Sequence, residues 1–230
     1  MKTIGLLGGM SWESTAEYYR IINELVSKKL GGLHSAKCLL YSFDFDEITE
    51  KQKAGKWDEL GEILGEMAVK LEKAGADMIL ICTNTMHKVA DDVQGMINVP
   101  LVSIIDATAE EIKEKGVGKA GLLGTRFTME DNFYRDGLES HGIEAVIPER
   151  DDRVFVHNVI FGELCKGIIK KESKKRFLEI IDSLLDQGAE GIILGCTEIP
   201  LLIKQEDVEV PVFDTTYIHA KKAVELALKN

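Results

Sequence analysis

Thr83 and Cys196, a hydroxyl and a thiol fit for proton transfer or nucleophilic attack, stand at the same place in a sequence that is written twice. Gly75 to Asn84 aligns without a gap on Gly188 to Thr197, and that register puts Thr83 on Cys196. Each copy runs on to a Val-Pro step, Val99-Pro100 and Val210-Pro211, and an earlier pair repeats as well, Ile4 to Gly8 against Ala120 to Gly124. A duplication of this kind predicts two lobes of common design that present equivalent positions to opposite sides of whatever lies between them. A reaction that needs a group on each face of a substrate suits such an arrangement.

The elements that must position these residues are short apolar runs ending in Gly, Thr, Asn or Asp, alternating with segments of helical period, the pattern of βα units on a mostly parallel sheet. Strands are predicted at 3–7, 37–43, 78–82, 101–105, 120–123, 145–147, 191–194 and 210–213. Helical stripes are carried by Tyr18, Ile21, Ile22, Leu25 and Val26, by Leu60, Ile63, Leu64, Met67 and Leu71, and by Phe177, Ile180, Ile181, Leu184 and Leu185; these read as core. The expected fold is α/β, with two similar lobes, each a mostly parallel sheet flanked by helices, related by pseudo-two-fold duplication. One lobe is expected at 1–100 with 211–230, the other at 101–210, joined by crossings near Pro100 and Pro211.

Ligands of open α/β sheets collect at the carboxyl ends of the strands, where helix N-termini point free amides outward. Four segments fit: Gly8 to Ser11, Thr83 to Thr85, Gly124 to Thr128 and Cys196 to Glu198. The Gly8-Gly9 turn lacks both the GxGxxG pattern and the Lys-Ser/Thr of a phosphate loop, and small hydroxyl and amide side chains beside amides suit a carboxylate better. Cys196 is expected just before a helix N-terminus, where the dipole lowers a thiol pKa from about 8.5 toward neutrality. Cys38, Cys82 and Cys165 read as small buried hydrophobes, Cys82 being turned to the packed face by strand alternation.

Composition narrows the class. A formal net charge of -11 disfavours nucleic acid and anionic membrane as partners. The four cysteines form no closely spaced framework, which suits free thiols in a reducing cytoplasm. The run from Ile4 to Met10 reads as a first strand, not a signal segment, and no apolar stretch is long enough for a membrane span.

The Gly8-Gly9-Met10-Ser11-Trp12-Glu13-Ser14 segment, the Thr83-Asn84-Thr85-Met86-His87 loop, Leu122 to Met129 and Gly195-Cys196-Thr197-Glu198 together resemble the aspartate/glutamate racemase family, and within it the bacterial L-aspartate/glutamate-specific branch. The resemblance covers nearly the whole chain. It implies a cofactor-independent, two-base racemase of small acidic amino acids, with no metal, no pyridoxal phosphate and a homodimeric assembly. It gives Cys196 the role of the base facing the α-proton of the L-substrate, and Asn84, Thr85 and Thr197 the role of holding substrate beside the two bases. It also implies that Gln52 and Glu163 reach the substrate, while Met10, Thr125 and Thr128 contribute from the other two strand ends.

One position departs from the family pattern: Thr83 stands where most members have a cysteine. An alcohol is nearly as weak an acid as water and far weaker than a free thiol, at about 8.5, so Thr83 positions or relays a proton better than it removes one. Two other outcomes fit such a chain. One is a related decarboxylase or isomerase of small dicarboxylates, in which a single cysteine suffices; the other is an amino-acid sensor that kept the pocket and lost one base.

Overall fold

The computed structural model describes residues 1–229 and divides into two compact units, one made of Met1–Ile104 with Thr216 onward and the other of Ile105–Thr215. In chain order the first unit comprises β1 (Ile4–Gly8), α1 (Trp12–Leu30), β2 (Cys38–Ser42), α2 (Phe45–Lys53), α3 (Trp57–Lys73), β3 (Met78–Ile81), α4 (Ala90–Met96) and β4 (Leu101–Val102). The chain then runs through α5 (Ile104–Glu114), β5 (Lys119–Gly124), α6 (Arg126–Glu130), α7 (Asn132–Ser140), β6 (Glu144–Val146), α8 (Arg150–Gly162), α9 (Lys171–Asp186), β7 (Gly191–Gly195) and β8 (Val212–Asp214), and returns to the first unit with α10 (Thr215–Leu228).

Each unit has a four-stranded, wholly parallel sheet, ordered β2-β1-β3-β4 in the first and β6-β5-β7-β8 in the second. Parallel neighbours need crossover connections, which is why helices intervene between them. The sequence repeat is reproduced as register. Leu7 pairs with Ile81 in the first sheet, and their repeat partners Leu123 and Leu194 pair in the second.

Apolar layers follow from this. In the first unit one cluster joins Leu7, Ile79 and Ile81 to Leu60, Leu64 and Met67 of α3, and another joins Ile4, Leu6, Leu80 and Cys82 to Tyr18 and Ile22 of α1 and Ala220 and Val224 of α10. In the second unit Leu123, Ile192, Leu194 and Cys196 pack with Val156 and Ile160 of α8 and Phe177, Ile181 and Leu184 of α9. Both strand faces of β1 and β3 are therefore covered, and their near-continuous hydrophobic runs are what such burial demands.

The unit boundaries fall a few residues beyond the expected 100 and 210. Pro100 and Pro211 do not carry the crossings; their carbonyls accept from Ile79 and Ile192 at 2.9 Å each, so both prolines lead into edge strands that stay with their own sheets. The strand expected over 101–105 is cut to Leu101–Val102 because α5 already begins at Ile104. Among the described residues no helix is long and apolar enough to cross a membrane.

Candidate functional site

At the carboxyl end of β1, Gly8 packs so closely against the start of α1 that an added methyl group would run into the Thr15 side chain. Ser11 caps α1 by accepting from Ser14 N at 3.4 Å, and Thr15 Oγ1 accepts from Gly9 N at 2.8 Å. Met10, next in line, is buried in the cluster that holds Ile48 of α2 and Met86. Gln52, in the last turn of α2, is also buried, and its Nε2 donates to Met86 Sδ at 3.1 Å. Thr83, Asn84 and Thr85 leave the adjacent strand β3 and enter a 3-10 turn at Thr85–Val89. All three are buried. The first unit thus gathers Met10, Gln52, Thr83, Asn84 and Thr85 at one sheet end.

His87 completes this end. Ile104 N donates to its Nε2 at 3.0 Å, so Nε2 is the unprotonated nitrogen and Nδ1–H donates to the Thr83 carbonyl at 2.8 Å. A second histidine lies close by, with ring centroids 5.7 Å apart. This is His219 of α10, whose Nε2 donates to the Val102 carbonyl at 2.8 Å while Nδ1 accepts from Tyr18 at 2.9 Å. Burial, and then the neighbouring His87, lower the pKa of His219 to about 3, which keeps it neutral.

The second unit repeats the plan with different side chains. Gly124 and Gly195 pair at the ends of β5 and β7, and a methyl group on Gly124 would stand 2.8 Å from the Gly195 carbonyl oxygen. Thr125 caps α6 by accepting from Thr128 N at 3.3 Å, and the two hydroxyls lie 3.2 Å apart. One strand over, Cys196 is 7 % exposed, and its Sγ donates to Glu198 Oε2 at 3.0 Å. Thr197 Oγ1 donates to the same oxygen at 2.9 Å.

Two expectations change here. Cys196 does not precede an α-helix: the chain turns into a three-residue 3-10 segment, Ile199–Leu201, with Pro200 inside it. No long helix dipole acts on the thiol. Burial, and after it the charge of Glu198, push its pKa well up instead of down, so the resting group is the thiol. Glu163, at the C-cap of α8, adjoins Leu164 and Cys165 of the Cys196 cluster. Its carboxylate is already occupied, accepting from Ser173 Oγ at 2.7 Å and Lys170 Nζ at 3.0 Å, and these bonds lower its pKa. Glu198, by contrast, is 3 % exposed and directly on the thiol, a contact that its place two residues after Cys196 does not reveal. Cys82 is fully buried in the α1 and α10 layer, and its burial raises its pKa. Among the described residues no three His, Cys, Asp or Glu side chains are grouped to hold a metal ion.

The register and the paired strand ends define an α/β protein built as a duplicated pair of parallel-sheet units, the architecture of two-lobed racemases. The chain belongs to the Asp/Glu/Hydantoin racemase family, whose pattern it matches over residues 7–223. It is similar over its full length to a Yersinia pestis protein assigned to the Asp/Glu racemases, at 53% identity and a TM-score of 0.94 with 100% of both chains covered. An aspartate racemase homologue from Pyrococcus horikoshii OT3 matches at 43% identity and a TM-score of 0.87, again with 100% of both chains covered. The broad specificity amino-acid racemase RacX of Bacillus subtilis is 25% identical over 228 residues, 98% of each chain.

Proposed function

We propose that this racemase-family enzyme removes and returns the α-proton of L-aspartate, and of L-glutamate, without a bound cofactor, with Cys196 facing the proton of the L-substrate and Thr83 serving the opposite face. The observation that carries the reading is the shared register: Thr83 and Cys196 each stand two residues beyond a strand position paired in the same way, Ile81 with Leu7 and Leu194 with Leu123. The names of the Yersinia and Pyrococcus proteins support an acidic substrate. The likeness to the former spans the whole chain, the site segments included.

The chemistry follows from the groups at each strand end. The Cys196 thiol passes its proton to the Glu198 carboxylate with which it is bonded, and the thiolate so formed takes the α-proton, regenerating the thiol. Matched acid–base groups contribute factors of about 10² to 10⁴ to such steps. The carbanion-like transition state carries its charge on the substrate carboxylate, and the Asn84 and Thr85 side chains and the Thr197 amide are the groups assigned to hold it in a water-poor site. On the other face a proton comes from water through the Thr83 hydroxyl, which gives one proton as it accepts another, and Glu198 returns its proton to the hydroxide so formed, which restores the carboxylate and the water. With a group on each side, an electron sink such as pyridoxal phosphate is unnecessary. Met10 and Gln52 at the sheet end of the first unit, and Thr125 and Thr128 at that of the second, are the further residues assigned to the substrate side chain. Glu163 is a weaker member of the set because Ser173 and Lys170 already satisfy it.

The test is α-proton exchange in deuterated water, followed by NMR across both enantiomers of aspartate and glutamate and several neutral amino acids. Deuterium entering L-aspartate with D-aspartate accumulating supports the reading. Loss of a carboxylate or alkene isomerisation of a dicarboxylate points to the related decarboxylase or isomerase, and thermal stabilisation by aspartate without exchange points to a sensor.

A further inference from the structure

We propose that His87 is a positioning residue that aims the Thr83 side of the reaction, an inference that rests on the racemase reading above. Thr83 leaves the sheet at the middle of three residues, Cys82 to Asn84, that join the end of the strand to a 3-10 turn. A carbonyl at such a break has no ladder partner of its own, and a buried one must find another. Here the residue is held on both sides. Thr83 N, in the peptide before it, donates to the Ile81 carbonyl at 2.8 Å, and the Thr83 carbonyl, in the peptide after it, accepts from His87 Nδ1 at 2.8 Å. Each peptide flanking Thr83 thus has one anchor, and the His87 bond sets the direction of the Asn84 amide and, with the Ile81 bond, the root of the Thr83 side chain.

The clamp works with one tautomer only. Ile104 N is a pure donor and occupies Nε2 at 3.0 Å, which obliges Nδ1 to carry the hydrogen that Thr83 needs. His87 is buried, so water does not compete for either nitrogen. Nothing equivalent exists in the second unit, because the repeat register sets His87 against Pro200, and the Cys196 carbonyl is met instead by Ile199 N at 3.1 Å. The two halves therefore differ in their supports as well as in their reactive groups. The half with the weaker acid has its carbonyl held by a side chain, the other by a backbone amide of its own turn. A thiol has a long, soft sulfur and a neighbouring carboxylate to work with; a hydroxyl that only relays a proton depends on being aimed.

Two substitutions separate the halves of the clamp. His87→Asn places an amide nitrogen near the position of Nδ1 and keeps the bond to Thr83, whereas His87→Gln places an amide oxygen near Nε2 and keeps the bond to Ile104. L-aspartate is incubated in deuterated water with each, and two quantities are read: total α-deuteration, which includes return on the Cys196 face, and D-aspartate formed per exchange event, which reports the Thr83 face. His87→Gln is expected to lower D-aspartate per exchange by about tenfold or more while KM and total exchange stay within about twofold, since small displacements of an aligned group cost rate more than binding. His87→Asn is expected to keep the wild-type ratio. Equal ratios in both variants, or exchange by the wild type with no D-aspartate at all, would overturn the inference while leaving the racemase family reading in place. Absence of exchange by the wild type removes the reading itself. The clamp can be checked without activity by nitrogen NMR of the wild-type protein: a His87 ring protonated on Nε2 contradicts it, and a ring protonated on Nδ1 alone supports it.

Discussion

The Cys196 thiol and the Glu198 carboxylate share a 3.0 Å hydrogen bond although only Thr197 separates them in the chain. The turn closed by Ile199 N on the Cys196 carbonyl at 3.1 Å brings the glutamate back onto the strand end, and Thr197 bonds the same oxygen. Cys196 thus has a proton acceptor built into its own loop.

Replacing that acceptor is the first test. Glu198→Gln keeps the shape and a hydrogen-bond acceptor but cannot take a proton, so exchange on L-aspartate should fall by about 10² or more. Removing the charge also removes one of the causes that raise the Cys196 pKa, so alkylation of Cys196 by iodoacetamide should begin at lower pH in the variant. Retention of wild-type exchange by Glu198→Gln would mean that the thiol proton leaves by another route. Cys196→Ser, a near isostere, should remove exchange with the fold intact.

Thr83→Cys asks whether the duplicated register has chemical meaning. A thiol at 83 improves the acid–base match by several pKa units, and the gain in proton transfer should be about 10² to 10⁴. Exchange on D-aspartate should appear where the parent has little. A variant that folds and binds aspartate yet ignores the D-enantiomer would separate the repeat from the reaction.

Acid stability should report His219. Its pKa in the folded protein is lowered to about 3 by burial, against an ordinary value of about 6.5. Between those limits the unfolded chain binds a proton that the folded chain refuses. The stability is therefore fully present above about pH 6.5 and is lost as pH falls toward 3, by at most about 1.4 kcal/mol per pH unit from this one group. Urea titrations at pH 7 and pH 4.5 should show a smaller acid loss for His219→Gln than for the wild type.

Gly124→Ala tests how closely the second sheet end is packed. The new methyl group would meet the Gly195 carbonyl oxygen at 2.8 Å and Thr128 Cβ at 3.0 Å. Backbone cannot move aside as a flexible side chain does, so the cost should be about 1–3 kcal/mol, read as a lower urea midpoint. Exchange should fall too, since Gly195 carries Cys196.

The inner strands β1, β3, β5 and β7 were legible because parallel strands buried on both faces read as continuous apolar runs, and the ends of three long helices were marked by Gly31, Gly75 and Gly188, all with positive φ. The repeat could be seen as letters before it was seen as the pairing of Leu7 with Ile81 and Leu123 with Leu194. What escaped was direction. Periodicity tells that a polar residue follows a strand, but not that Glu198 folds back onto a thiol, that His87 turns toward Thr83, or that Ser173 and Lys170 take up Glu163. The helix expected after Cys196 failed for a local reason: Ile199-Pro200 supports only a short 3-10 turn. Gln52, readable as a solvated loop residue, is buried because α2 carries it inward against Met86.

Because the two sheets share strand order and pairing register, a preference for one mirror-image substrate would, under the proposed chemistry, turn on two letters, those at positions 83 and 196. Exchanging the thiol and the hydroxyl between them would then reassign which hand is attacked with every other residue unchanged. Selection acting on such a scaffold can change stereochemical bias and substrate range on separate schedules, a freedom that a site assembled from unrelated loops does not have.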